Sequence, residues 1–397
     1  MSQSLVDEAV DTLLEEVDAL ERGIHGYFPF GKHSSQSQPG HSPHTSQFST
    51  MRTRPTDHRS ALRINQSDLV MVTVMGQIAH PIGAANPYRI GNDGVPRILP
   101  ATGGIMLNQR IGDRCVGLAG DHIEPGVALH NNNREVIGSR RGPNWALITY
   151  ACVGNRAEVI SGPCTGKRGL VTGKHGGVDH VLVDFSPEVL RRLRISDRIQ
   201  IYSHGLGMRL LDYPDIQVFN CSPGLMQKWG LQADSHHLQV PVTHLVPASI
   251  MGSGLGKNTV WRGDYDIQLF DPEIRRRYRL NTLRFGDLVA ILPGDTRFGP
   301  SFRQGRVTIG IVVHGDSTVS GHGPGVTPLL TGSAERLQPI YDPQANLAIL
   351  FGLRSLPPAK AYRPLVDGRL YAPLCREQPN RIQEQTLPRS RKMDHLN

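Results

Sequence analysis

One short pattern recurs three times along this chain of 397 residues: Ile111-Gly112-Asp113-Arg114-Cys115-Val116, Ile195-Ser196-Asp197-Arg198-Ile199-Gln200-Ile201 and Phe285-Gly286-Asp287-Leu288-Val289-Ala290-Ile291. Each is an apolar residue, a Gly or Ser, and an Asp, followed by strand-forming residues. Such a sequence makes a tight turn feeding a strand: Gly tolerates a positive φ and Asp bonds nearby backbone N–H groups. These aspartates are therefore read as structural. The pattern favours small β-barrel or sandwich-like units over a parallel sheet. Hydrophobic content of 38% with 43 Gly and 29 Pro agrees with a turn-rich β architecture rather than a helical bundle. The expected class is mainly β (α+β), with a few short helices and an N-terminal amphipathic helix.

In chain order, residues 5–24 place Val6, Val10, Leu13, Val17, Leu20 and Ile24 at alternating four- and three-residue steps with acidic residues between them. This predicts an amphipathic helix with a narrow apolar seam, suited to docking or self-association, so a homo-oligomer is expected. From Lys32 to about Asn65 the composition turns to Ser, Gln, His and Pro, which predicts a disordered linker. Order is expected to resume with a strand over Asp68–Met75. Short helices are expected at Ser186–Leu193 and Asp271–Tyr278, each opened by a capping Ser or Asp followed by Pro. A last strand is expected around Leu347–Leu353. The expected organisation is a helix over 1–29, a linker over 30–66, β-rich domains over 67–230 and 231–355, and a polar basic tail over 356–397.

Five widely spaced cysteines, with no Cys-x-x-Cys pair, indicate neither a disulfide framework nor a zinc ribbon. Cys164 alone sits in a glycine-rich basic setting, and its simplest reading is a small residue in a tight turn. The net charge of +8 is spread along the chain, without an RNA-recognition signature or zinc-finger spacing. Anionic metabolites fit it better than nucleic acid. The absence of a long apolar window and the acidic N-terminus lead to an expected cytoplasmic location with no membrane contact.

Three loops concentrate the residues of a site. Gly120–Gly126 carries His122 and Glu124, which share one side if the segment is extended. Thr172–His180 carries Lys174, His175, Gly176 and Gly177, with Lys167 upstream in GPCTGKRG. Glycines there allow a ligand to approach the backbone and the lysines suit an anion, although a hairpin turn explains the same residues. The third loop follows the apolar run Val307–Val313 and reads His314-x-Asp316-x5-His322; two imidazoles and a carboxylate form a common divalent-metal set. Arg297 and Arg303 lie just upstream and could clamp an anionic substrate.

The runs NPYRIGNDG, GDHIEPGV, TGKHGGVDHVLVDF, FGPSFRQGRVTIGIVVHGDS and GHGPGVTPLLTG occur in the same order as in the bacterial and archaeal family catalogued as domain of unknown function 4438. Between about Asp68 and Gly352 the chain resembles that family. The resemblance implies a mostly β fold of several parts and supplies no established activity. Lys174, His175, Gly176, Gly177, His314, Asp316, His322 and Gly323 match its pattern.

The leading expectation is a small-molecule enzyme, a metal-assisted hydrolase or lyase acting on an anionic or carbonyl-bearing metabolite. Zinc or manganese would be held by His314, Asp316, His322 and His122. Glu124 would act as general base, and Lys174 with His175 would position the substrate, assisted by Lys167, Gly176, Gly177, Arg297 and Arg303. The alternative is a non-catalytic metabolite- or nucleotide-binding protein that uses the Gly/Lys loop.

Overall fold

The computed structural model describes residues 62–356 apart from 84–87, 138–139 and 257–258. The helix expected over 5–24, most of the linker and the basic tail lie outside the described residues. The last linker positions do not follow the expectation of disorder. Asn65 is buried and donates to the Gly207 carbonyl, and Ile64 forms a β-bridge with Leu210.

The chain is β-rich with a few short helices. Six antiparallel strands close a barrel: β1 (Val72–Ile78), β2 (Val127–His130), β3 (Arg156–Val159), β4 (Arg168–His175), β5 (His180–Asp184) and β6 (Arg198–Ser203), in the order β1-β6-β3-β4-β5-β2. Alternation along β6 turns Ile199 and Ile201 into an interior that also holds Leu129, Ala157, Val171 and Val183. Closure leaves no free edge, so all barrel strands pair on both sides.

A second sheet runs β7-β13-β12-β11-β9: β7 (Gln217–Val218), β9 (His244–Pro247), β11 (Leu288–Leu292), β12 (Arg306–Val312) and β13 (Gly325–Ser333), with the two-residue β10 (Tyr265–Asp266) paired to β13. Its order is mixed, because β9 runs parallel to β11. A third sheet joins β8 (Leu238–Val242) in parallel to β14 (Leu337–Tyr341). The apolar run in β11 and β12 is buried on both faces, as an unbroken hydrophobic strand requires. Barrel and second sheet are tied where Thr327 Oγ1 on β13 donates to the Lys174 carbonyl on β4.

All three recurring turns use one device. Asp113, Asp197 and Asp287 each accept the backbone N–H three residues before them, at 2.8, 2.9 and 2.9 Å. The residues before them, Gly112, Ser196 and Gly286, have φ of 95°, 74° and 80°. The second and third turns lead into β6 and β11; the first gives only a single bridge between Arg114 and Arg284.

Both expected short helices form, over Pro187–Leu190 and Pro272–Arg277, capped by Ser186 and Asp271. Two boundaries differ from the sequence reading. The first strand starts at Val72 because Gln66–Asp68 form a 3-10 turn, and the segment expected as a last strand contains a helical turn, Leu347–Leu350, capped by Asn346.

Candidate metal centre

The loop before β2, the β4–β5 hairpin, the strand β10 and the loop between β12 and β13 converge where the barrel meets the second sheet. Backbone bonds fix the convergence: His122 N–H donates to the Asp316 carbonyl and Gly315 N–H to the Ile123 carbonyl. His175 and His180 face each other across the hairpin. On β10, Tyr265 is buried in the core, so the period-2 alternation turns Asp264 and Asp266 to the opposite side, into the cluster.

Six side chains form two groups of possible metal donors, His122/Asp266/His322 and His175/Asp264/His314, and the donor atoms in each lie within 4.8 Å of one another. In the first, Asp266 Oδ2 is 3.1 Å from His322 Nδ1 and 3.4 Å from His122 Nε2. In the second, Asp264 Oδ2 is 2.7 Å from His314 Nε2. His314 is fully buried, whereas the His322 side chain is 37% exposed, so the cluster opens to solvent on the His322 side.

The outer ring nitrogens show how the imidazoles are aimed. His175 Nδ1 is 2.7 Å from Glu124 Oε1, His122 Nδ1 is 3.1 Å from Asp121 Oδ1, and His314 Nδ1 is 3.0 Å from the Gly315 carbonyl. Carboxylates and carbonyls only accept, so Nδ1 carries a proton in all three rings, and whenever a ring is neutral its inner Nε2 presents a lone pair. This is the arrangement of metal-ligating histidines, whose far N–H is anchored by a carboxylate or carbonyl. The carboxylates are anchored too: Asp264 Oδ1 accepts from Gly176 N–H at 2.8 Å and Asp266 Oδ2 from Gly323 N–H at 3.3 Å.

One contact is unresolved within the protein. His314 Nε2 and Asp264 Oδ2 are 2.7 Å apart and buried, yet neither has a hydrogen-bond partner. A cation facing both atoms would satisfy them. Gly325 leaves the space: a Cβ there would fall 2.0 Å from Asp264 Oδ2 and 2.2 Å from His314 Nε2.

Electrostatics follow from the packing. Burial works against charge on Glu124 and Asp266, but the surrounding imidazoles hold both carboxyls far below the usual range. Burial likewise disfavours a charged His314, while Asp264 and Asp266 outweigh it and hold that imidazole well above its ordinary value. His175 is pushed down by burial, reinforced by His314. The cluster thus attracts positive charge at its centre, whether protons or an ion.

Of the residues expected from sequence, His122, Glu124, His175, His314 and His322 are brought together, and Gly176 joins them through its N–H. Glu124 departs from the expected general base. It is 2% exposed and accepts from His175 Nδ1, His180 Nδ1 and Gly103 N–H, so it orients imidazoles. Asp316 is not aimed at the centre: its carboxylate accepts from Ser317 and Gly117 N–H groups, holding the loop that carries His314. His122 has φ 54°, so its segment is a turn, and the shared-side argument for His122 and Glu124 does not apply.

Lys174 alternates away from His175 and is fully buried. Its Nζ donates to the Thr149 carbonyl, Asn220 Oδ1 and the Trp261 carbonyl, and burial pushes its pKa down to about 7. Lys167 is exposed at the other end of β4, roughly 26 Å of extended strand from His175. Gly177 shapes the hairpin turn and lies 3.7 Å, measured from an added Cβ, from His175 Nε2. Arg297 and Arg303 pair with Asp295, beside the start of β12, whereas His314 lies past that strand's end. Cys164 is buried, with its Sγ near the Val189 carbonyl, and lies outside the cluster. The residues missed were Asp264, Asp266, His180 and Asp121. The Asp-x-Asp spacing of Asp264-Tyr265-Asp266 was the available signal, two carboxylates on one side of a short strand.

Sequence models of the domain of unknown function DUF4438 match this chain over residues 88–227 for its N-terminal part and 228–351 for its C-terminal part. The crystal structure of TM1086 is similar, with a TM-score of 0.69 and 39% identity, covering 75% of this chain and all of that one. No curated protein matches. His122, Glu124, His175 and His180 fall in the N-terminal part and Asp264, Asp266, His314 and His322 in the C-terminal part, so the candidate centre lies where the two meet. With both parts matched in order over most of the described residues, the chain belongs to the DUF4438 family.

Proposed function

We propose that the chain is a metal-dependent enzyme, a hydrolase or lyase acting on an anionic or carbonyl-bearing metabolite. The observation that carries this reading is the set of donor atoms on His122, His175, His314, His322, Asp264 and Asp266 in two close groups, with the far atoms of His122, His175, His314 and Asp264 anchored. A divalent ion held by them lowers the pKa of a water and polarises a carbonyl oxygen. Glu124 and Asp121 fix the tautomers of His175 and His122, so that Nε2 is the donor nitrogen of each neutral ring. His322, at the open side, faces incoming substrate. Arg89, half-exposed and 2.9 Å from Asp121 Oδ2, supplies positive charge beside that opening, which favours an anionic group.

The test is turnover of a panel of esters, amides, lactones and hydroxy acids by chain loaded with zinc or manganese. Activity that disappears with a chelator and returns with the ion supports the reading. Chain that takes up no ion, or metal-free chain with full turnover, overturns it.

A further inference from the structure

We infer that the centre is dinuclear, holding two divalent ions bridged by the Asp266 carboxylate. The inference rests on the metal-enzyme reading above and specifies its site. Each donor group has two imidazoles and one carboxylate, which is the three-ligand complement of a catalytic ion with a position left open. The groups are adjacent: between centroids, the His122 ring lies 5.0 Å from that of His314 and 5.7 Å from that of His175. Asp266 serves both. Its Oδ2 faces His122 and His322, while its Oδ1 is 3.6 Å from His314 Nε2. One carboxylate with an oxygen on each side is the bridge of two-ion sites, whose ions stand about 3.5–4 Å apart.

Charge points the same way. Asp121, Glu124, Asp264 and Asp266 are all buried, and the guanidinium of Arg89 pairs with one of them. With neutral imidazoles, four carboxylates against one guanidinium leave three negative charges uncompensated in a desolvated space. One dication leaves the cluster negative. Two leave a single positive charge, which an anionic substrate neutralises. Protonated imidazoles are the competing compensation, and the metal-loading experiment separates the two; His314 Nε2 and Asp264 Oδ2, 2.7 Å apart and buried, have no hydrogen-bond partner.

The experiment loads full-length chain with Mn(II), removes the excess by gel filtration, and measures ions per chain by mass spectrometry together with the electron paramagnetic resonance spectrum. Two ions per chain and a spin-coupled multiline spectrum are expected. His322→Ala, at the open rim, and His314→Ala, in the interior, should each retain about one ion and give an uncoupled six-line signal. One ion in the wild type that either substitution abolishes would overturn the dinuclear centre while leaving the metal-enzyme reading intact. No ion in folded wild type would overturn both. Circular dichroism of each metal-free variant identifies misfolding, and His322→Ala keeps the comparison usable should His314→Ala fail to fold.

Discussion

Lys174 and His175 are neighbours on β4, face opposite ways, and end in two different kinds of buried polar site. The Lys174 ammonium has three protons and three acceptors, all supplied by the protein, at 2.7 to 3.2 Å. On the other face, His175 joins a cluster in which His314 Nε2 and Asp264 Oδ2 have no partner although both are buried. A closed network of the first kind specifies the fold; an open one of the second kind leaves stabilisation unclaimed until something binds. Two adjacent basic residues thus fall in a closed and an open polar network, and burial alone does not separate them.

That contrast can be broken by substitution. Lys174→Met should have the largest effect, because it strands Asn220 Oδ1 and two carbonyls in a dry setting; a loss of about 3 kcal/mol or more is expected by chemical denaturation, with no selective effect on ion binding. If the variant kept wild-type stability, the ammonium would not be the structural pivot described above. Glu124→Gln sharpens the other side: the carboxylate accepts from His175, His180 and Gly103 N–H through both oxygens, and the amide turns one of those acceptors into a donor, so Mn(II) affinity should fall about 10- to 100-fold by calorimetric titration. Unchanged affinity would deny Glu124 its orienting role. The smallest effects are expected from Lys167→Ala and Arg303→Ala, exposed residues near the far ends of β4 and β12, with stability within about 0.5 kcal/mol and ion binding unaltered. A marked loss of substrate turnover in either would restore them to the site.

Much of this was legible in the chain. The turn pattern at Asp113, Asp197 and Asp287 announced the β architecture because a positive φ and a local carboxylate bond are sequence-local requirements. His122, His175, His314 and His322 stood out for a similar reason, as polar side chains in glycine-rich loops beside apolar strands. Asp264 and Asp266 did not, since the strand there has only two residues, Tyr265 and Asp266, and its partner, β13, lies some sixty positions later. Lys174 and Asp316 were misassigned on local grounds: a lysine beside glycines resembles an anion cradle until its three acceptors, drawn from distant segments, are in place. Asp316 follows a strand that has already ended at Val312, so the two-residue alternation no longer governs where it points.

The division of the cluster between the two matched parts of the chain has a consequence for how its chemistry can be lost. Each donor group mixes a histidine from residues 88–227 with an aspartate and a histidine from 228–351, so neither part alone assembles a complete set. The centre behaves as a logical conjunction: it exists only while both parts are docked. A substitution that loosens the seam would silence it before either part unfolds, and an ion bound across the seam would act as a rivet, its binding energy appearing as cohesion between the two.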